Sequence, residues 1–171
     1  MRSKSYWKKI ILLISVFSVL GTSVSFAISK QELNNDIFIN FDFRNGHRYF
    51  SNGNQLTGVF YDIDSIEVSL YNPPHYSIDI VKYVTSVKFE GISLYKVRYF
   101  YNFNTKEIYQ QNLSYTSLTE DGQEKFKEEG KGKIQRLTNE QGTAMVNIGN
   151  RQAWKDAIQI WEYSYCMPFL L

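Results

Sequence analysis

Residues 94–103 read LYKVRYFYNF, with Tyr95, Val97, Tyr99, Tyr101 and Phe103 at every second position. Side chains alternate between the two faces of a strand. This spacing therefore sets five large apolar groups on one face and Leu94, Lys96, Arg98, Phe100 and Asn102 on the other. Asn104-Thr105-Lys106-Glu107 is polar and turn-like. The returning chain then carries Tyr109, Leu113 and Tyr115 on one face and Gln110, Asn112 and Ser114 on the other. The segment from Leu94 to Tyr115 is expected as a β-hairpin with one aromatic face, and such a face requires a cover.

The C-terminal stretch NRQAWKDAIQIWEYSYC supplies one. From Asn150 onward, Trp154, Ala157, Ile158, Trp161 and Tyr165 fall on a single helical stripe. Lys155, Asp156, Gln159 and Glu162 are expected to face away from it. Asn150, or Asn147 one turn earlier, suits the N-cap, and Pro168 stops the helix. Four further strands are expected, over Asp36 to Phe43, Thr57 to Tyr61, Ile66 to Tyr71 and Tyr76 to Val84, from β-branched and aromatic content or alternation. Asp62 to Ser65 is read as a turn between two of them. Asn72-Pro73-Pro74 is read as a bend, because proline lacks a ladder donor. Residues 119–142 are expected as a mobile, charged connection whose helical start is broken by Gly130 and Gly132. The expected fold class is α+β, a single antiparallel β-sheet packed against a C-terminal α-helix.

The N-terminus reads MRSKSYWKKIILLISVFSVLGTSVSFAISK. Arg2, Lys4, Lys8 and Lys9 precede the apolar run Ile10 to Leu20, and Ser25-Phe26-Ala27 places small residues at a cut after Ala27. That is the layout of a secretory signal peptide over residues 1–27, followed by one α+β domain over 28–171. The alternative is an uncleaved anchor, but the apolar run is short of the roughly 18 to 20 residues a span needs. No membrane span is expected after cleavage.

The charge balance follows from this division. The whole chain has a net charge of +2, yet all four charges of the leader are basic. The remainder is slightly acidic. It has no excess of positive charge to build a broad basic face, so nucleic acid is not expected as a partner. Lys125, Lys127, Lys131 and Lys133 are interleaved with Glu124, Glu128 and Glu129, as on a solvated segment. Cys166 is the single cysteine, which rules out an internal disulfide and is expected as a small buried apolar residue. Stability must then come from packing, for which 13 Tyr, 12 Phe and 3 Trp are available.

The order of these elements carries a resemblance. Val59-Phe60-Tyr61-Asp62-Ile63-Asp64-Ser65-Ile66 leads into an extended strand and an aromatic hairpin. The closing helix ends Tyr163-Ser164-Tyr165-Cys166-Met167-Pro168-Phe169. The chain resembles small exported proteins of Selenomonas- and Veillonella-type anaerobes and, more distantly, the surface-adhesin family typified by Haemophilus protein E. The resemblance implies a single antiparallel sheet with helical cover and a binding role at the cell surface. It carries no catalytic motif.

The residues themselves point away from an enzyme. Asp62, Asp64 and Glu67 bring carboxylates together, but Ile63 and Ile66 interrupt them and no glycine follows, unlike a calcium loop. No metal or cofactor is expected. There is no Gly-x-Ser-x-Gly, His-Glu-x-x-His, glycine-rich phosphate loop or Cys-x-x-Cys. His75 and His47 remain as bare candidate bases, and no catalytic residue is assigned.

The expected function is an exported, non-enzymatic binding protein of the periplasm, cell surface or exterior. Its partner is a protein or other macromolecule, met through Lys96, Arg98 and Phe100 on the mixed face of the hairpin together with the 119–142 connection. The alternatives are a periplasmic small-ligand carrier, with an aromatic pocket between sheet and helix, and a weak hydrolase using His75.

Overall fold

A computed structural model describes residues 28–34, 42–44, 47–51, 57–139 and 145–170. The expected leader lies outside the described residues, as does most of the strand expected over Asp36 to Phe43. The described chain forms strands β1 (Asp42–Arg44), β2 (His47–Ser51), β3 (Thr57–Asn72), β4 (His75–Ser86), β5 (Phe89–Asn102), β6 (Glu107–Leu118), β7 (Glu124–Glu129) and β8 (Gln135–Leu137). Two helices complete it, α1 (Lys30–Asn34) and α2 (Met145–Tyr165). The strands make one sheet in the order β1 to β7, with β8 also paired to β6. Every pairing is antiparallel. The class is α+β.

The pairing of β4 with β5 defines the two faces. Tyr76, Ile78, Ile80 and Lys82 lie opposite Tyr101, Tyr99, Val97 and Tyr95 on the aromatic face. Ser77, Asp79, Val81 and Tyr83 lie opposite Phe100, Arg98, Lys96 and Leu94 on the other. Each face has its own apolar cluster. The larger joins Tyr61, Ile63, Ile78, Ile80, Val97, Tyr99, Tyr101 and Ile108 to Ala157, Ile160 and Trp161 of α2 and to Phe169 beyond it. Trp161 is stacked with Phe103 at 5.6 Å between ring centres and meets Tyr76 edge-on at 4.9 Å. The Tyr101 hydroxyl donates to the Ala157 carbonyl at 2.8 Å. The smaller cluster joins Phe60, Ile92 and Leu118 on the opposite face to Ile28 and Leu33 around α1, and to Tyr49.

Helix α1 is short, and its start is held by side chains. The Ser29 hydroxyl accepts the Glu32 N–H at 3.2 Å, while the Glu32 carboxylate accepts the Ser29 N–H at 2.8 Å. This reciprocal capping box supplies partners for backbone donors that a first helical turn leaves open. Lys30 then ties the helix to the sheet through Glu120 at 3.1 Å and the Phe89 carbonyl at 2.8 Å.

The structure corrects six local expectations. Thr57–Asn72 is one strand, and Asp62 to Ser65 is a bulge inside it. The register passes from Asp62↔Val81 to Glu67↔Asp79, so three extra residues are accommodated on β3. The Asp64 N–H and the Ser65 hydroxyl fold back on Asp62, and the Ser65 oxygen accepts the Val81 N–H at 2.8 Å. Second, β6 does not keep one parity. Lys96 pairs with Ser114 but Val97 with Asn112, which leaves Leu113 as the extra residue. One extra residue inverts every side chain beyond it. Gln110 and Asn112 therefore share the aromatic face with Tyr115, while Tyr109 lies opposite Phe100 on the other face.

Third, α2 begins at Met145, and Asn150 lies inside it. The Asn150 side chain instead ties α2 to the end of β8, accepting the Thr138 N–H at 3.1 Å. Fourth, Asp156 is buried although its charge argued for the solvent side. Fifth, Cys166 is exposed. It occupies the left-handed region at φ 50 just past the last helical residue. Sixth, the described part of 119–142 holds two strands and no helix, and residues 140–142 lie outside the described residues.

Candidate functional site

Strand β5 brings Lys96, Arg98 and Phe100 side by side on the face opposite the larger cluster. They are spaced two apart, so the strand period alone aligns them. Around them stand Ser77 and Asp79 from β4, Glu67 and Ser69 from β3, and Tyr109 and Gln111 from β6. The smaller apolar cluster occupies the other end of this face.

At the centre is a buried acid. Asp79 is 2% exposed. The Arg98 guanidinium grips it with two bonds, Nε to Oδ1 at 2.6 Å and a terminal nitrogen to Oδ2 at 2.7 Å. The Ser69 hydroxyl adds a third at 3.0 Å, and Lys96 lies 3.9 Å away. Burial pushes the Asp79 carboxyl up. The hydrogen bonds from Arg98 and Ser69, then the charges of Arg98 and Lys96, outweigh it and hold the group below its usual value. Arg98 is raised in return, first by its hydrogen bonds to Asp79. Such a two-pronged pair is rigid and strong.

This geometry separates the roles of the three sequence candidates. Arg98 is spent on Asp79. Lys96 is the more open cation, with its side chain 45% exposed and Glu67 at 3.6 Å. Phe100 is half-buried beside them, opposite Ser77 and Tyr109. The 119–139 segment reaches this face through Gly132, whose carbonyl accepts from the Gln111 side chain at 2.8 Å. Gly132 also donates its N–H to the Asn112 carbonyl at 2.7 Å. That segment also carries β7, all six residues of which are exposed.

The other candidates fall apart in space or chemistry. Asp62 is buried and Asp64 exposed, so the two carboxylates do not converge. Asp62 accepts the Asp64 N–H at 3.1 Å, a backbone role. His75 is exposed at the start of β4, where its ladder neighbours are Asn72 and Asn102. His47 is a residue of β2. Cys166 ends α2.

Sequence reasoning missed a second polar group, inside the larger cluster. The Tyr61 hydroxyl donates to Asp156 at 2.7 Å and lies 3.4 Å from the Tyr99 hydroxyl, and Gln152 donates to the same carboxylate at 3.0 Å. Burial first, then neighbouring charge, raises the Tyr61 and Tyr99 phenols far above their ordinary value. Lys82 lies next to Tyr61 across the ladder and 5.2 Å from the Tyr95 ring centre. Its ammonium is lowered by burial and partly restored by Asp156. Both phenols are therefore held protonated, with Tyr61 donating to the buried acid and Tyr99 beside the Tyr61 hydroxyl.

Comparison of the chain with protein-family models, curated proteins and solved structures finds no match. Among the described residues, no helix is long and apolar enough to cross a membrane.

Proposed function

We propose that the chain is an exported, non-enzymatic binding domain in which the sheet and the covering helix α2 form one unit over residues 28–171. It meets a protein or other macromolecule of the envelope or exterior through the polar half of the sheet face that carries Lys96 and Phe100. The supporting observation is the built array on that face. A buried Asp79 locks Arg98 in place, and Lys96 and Phe100 flank that pair at the surface. A fixed ion pair with the Phe100 and Tyr109 rings beside it suits recognition of a folded surface, because little side-chain entropy is lost on binding. An adhesin-like role, as the resemblance to protein E implies, agrees with this reading.

Arg98 is a poor residue for the test, since its loss would strand Asp79. The discriminating variant is Lys96→Glu with Phe100→Ala. Purified wild-type protein should retain a specific partner from envelope extract, and the variant, with an unchanged unfolding midpoint, should lose it. Retention of every specific partner by the folded variant would refute this surface.

A carrier reading draws on a different place from the one sequence suggested. The volume between sheet and helix is filled by Tyr101, Phe103, Trp161 and Phe169. A cleft of about 520 Å³ opens instead where β4 turns into β5, lined by Thr57, Ser86, Phe89, Ser93, Tyr115 and Ser117 among others. Its hydroxyls suit a small neutral polar ligand. A thermal shift with such a metabolite, abolished by Ser93→Leu, would favour the carrier. A hydrolase using His75 has the least support, since asparagines stand where an orienting acid is needed.

A further inference from the structure

The two halves of β3 have different neighbours. Strand β2 pairs with it from Phe60 to Asp62. The outer half, Glu67–Asn72, is paired among the described residues with β4 alone. Among the described residues its second side is a sheet edge, with backbone donors and acceptors directed outward. Val68 and Leu70 are each 43% exposed there and Tyr71 is 68% exposed.

Sheet edges are ordinarily blunted by charge, proline or shortness. Strand β7 follows that rule, since its sequence EKFKEE is charged at all but one position. The β3 edge is guarded at its ends alone, by Glu67 on one side and by Pro73 and Pro74 on the other. From Val68 to Asn72 the chain reads VSLYN, without charge or proline. A bulge at Ser69 is the one interruption, and the Ser69 side chain turns back over β4 to Ser77 at 2.8 Å and Asp79 at 3.0 Å. The contrast between two edges of one sheet marks the β3 edge as a surface kept open for pairing.

We propose that this edge pairs with the same edge of a second copy of the chain, antiparallel about a two-fold axis. A two-fold operation makes the pairing strands antiparallel and keeps each face of the sheet on its own side. Val68 and Tyr71, opposite Ile78 and Tyr76 on the aromatic face, then meet their counterparts there, and Leu70 meets its own on the other face. The one charged side chain of the span, Glu67, then falls opposite Asn72 of the second copy, so no like charges are opposed. A second copy also brings a strand of matched length and matched apolar character, which an arbitrary surface does not.

The test is the oligomeric state of purified exported protein across a concentration series, by analytical ultracentrifugation. The wild type is expected to pass from monomer to dimer as concentration rises. Val68→Lys with Leu70→Lys is expected to remain monomeric with an unchanged circular dichroism spectrum, and Leu70→Arg alone serves if the double variant does not fold. A wild type that stays monomeric at the highest concentration overturns the proposal. So does a dimer that survives the substitutions, or a monomer whose β3 edge captures an extended peptide of another protein.

Discussion

Asp79 shows how a single residue shapes the candidate surface. It is buried, yet it sits on the face where the contact side chains stand, and Arg98 neutralises it with paired bonds. Arg98→Met should therefore cost on the order of 2 to 3 kcal/mol, because it leaves a buried carboxylate with the Ser69 hydroxyl and the more distant Lys96 but no paired cation. Solvent access to the guanidinium, 27% exposed, keeps the cost below that of a fully enclosed pair. Urea unfolding of the two proteins measures it. The pH dependence has a defined sign. The Asp79 carboxyl binds its proton more weakly folded than unfolded. Its contribution is complete above the ordinary carboxylate value and is lost as pH falls through the depressed one. Asp79→Asn should thus flatten the acid limb of stability against pH. An acid limb unchanged in that variant would show that Arg98 contributes packing and not charge.

Among the elements, the aromatic face of β5 was legible and the bulges were not. Tyr95 to Tyr101 keep strict alternation through an undistorted run, so period two is enough to find the face. At Leu113 and at Asp62 to Ser65 the extra residues leave no mark in composition, and only pairing with the neighbouring strand shows them. Lys96, Arg98 and Phe100 were recognisable as a group by spacing, whereas their acid partner Asp79 comes from another strand. Asp156 was misread because charge argued for solvent, while its partners Tyr61 and Tyr99 lie far away in the chain. The register shift at the start of β5 has its own requirement. Gly91 adopts φ +91, and a Cβ there would stand 2.2 Å from the Leu118 carbonyl oxygen. Gly91→Ala should destabilise by at least about 2 kcal/mol, since backbone must move to admit it. In α2, Trp161 touches rings from two strands, Tyr76 and Tyr101, and Phe169 of the C-terminal tail. Trp161→Ala should cost about 3 to 5 kcal/mol and abolish much of the near-ultraviolet circular dichroism.

For the whole molecule, the buried phenols set an upper limit on pH. Tyr61, Tyr99 and Tyr101 have raised values, with burial the first cause in each. They keep their protons in the folded chain, whereas the unfolded chain releases them above roughly pH 10. Stability should therefore fall as pH rises through that value. Phenolate absorbance should show Tyr61, Tyr99 and Tyr101 ionising only with unfolding. Export is the premise of the proposed role, because it decides which macromolecules the Lys96 and Phe100 face can meet. The most direct test is the N-terminal mass of the protein recovered from fractionated cells. A chain beginning at Ile28 in the envelope or the medium is the expected result. An intact chain beginning at Met1 and confined to the cytosol would contradict it.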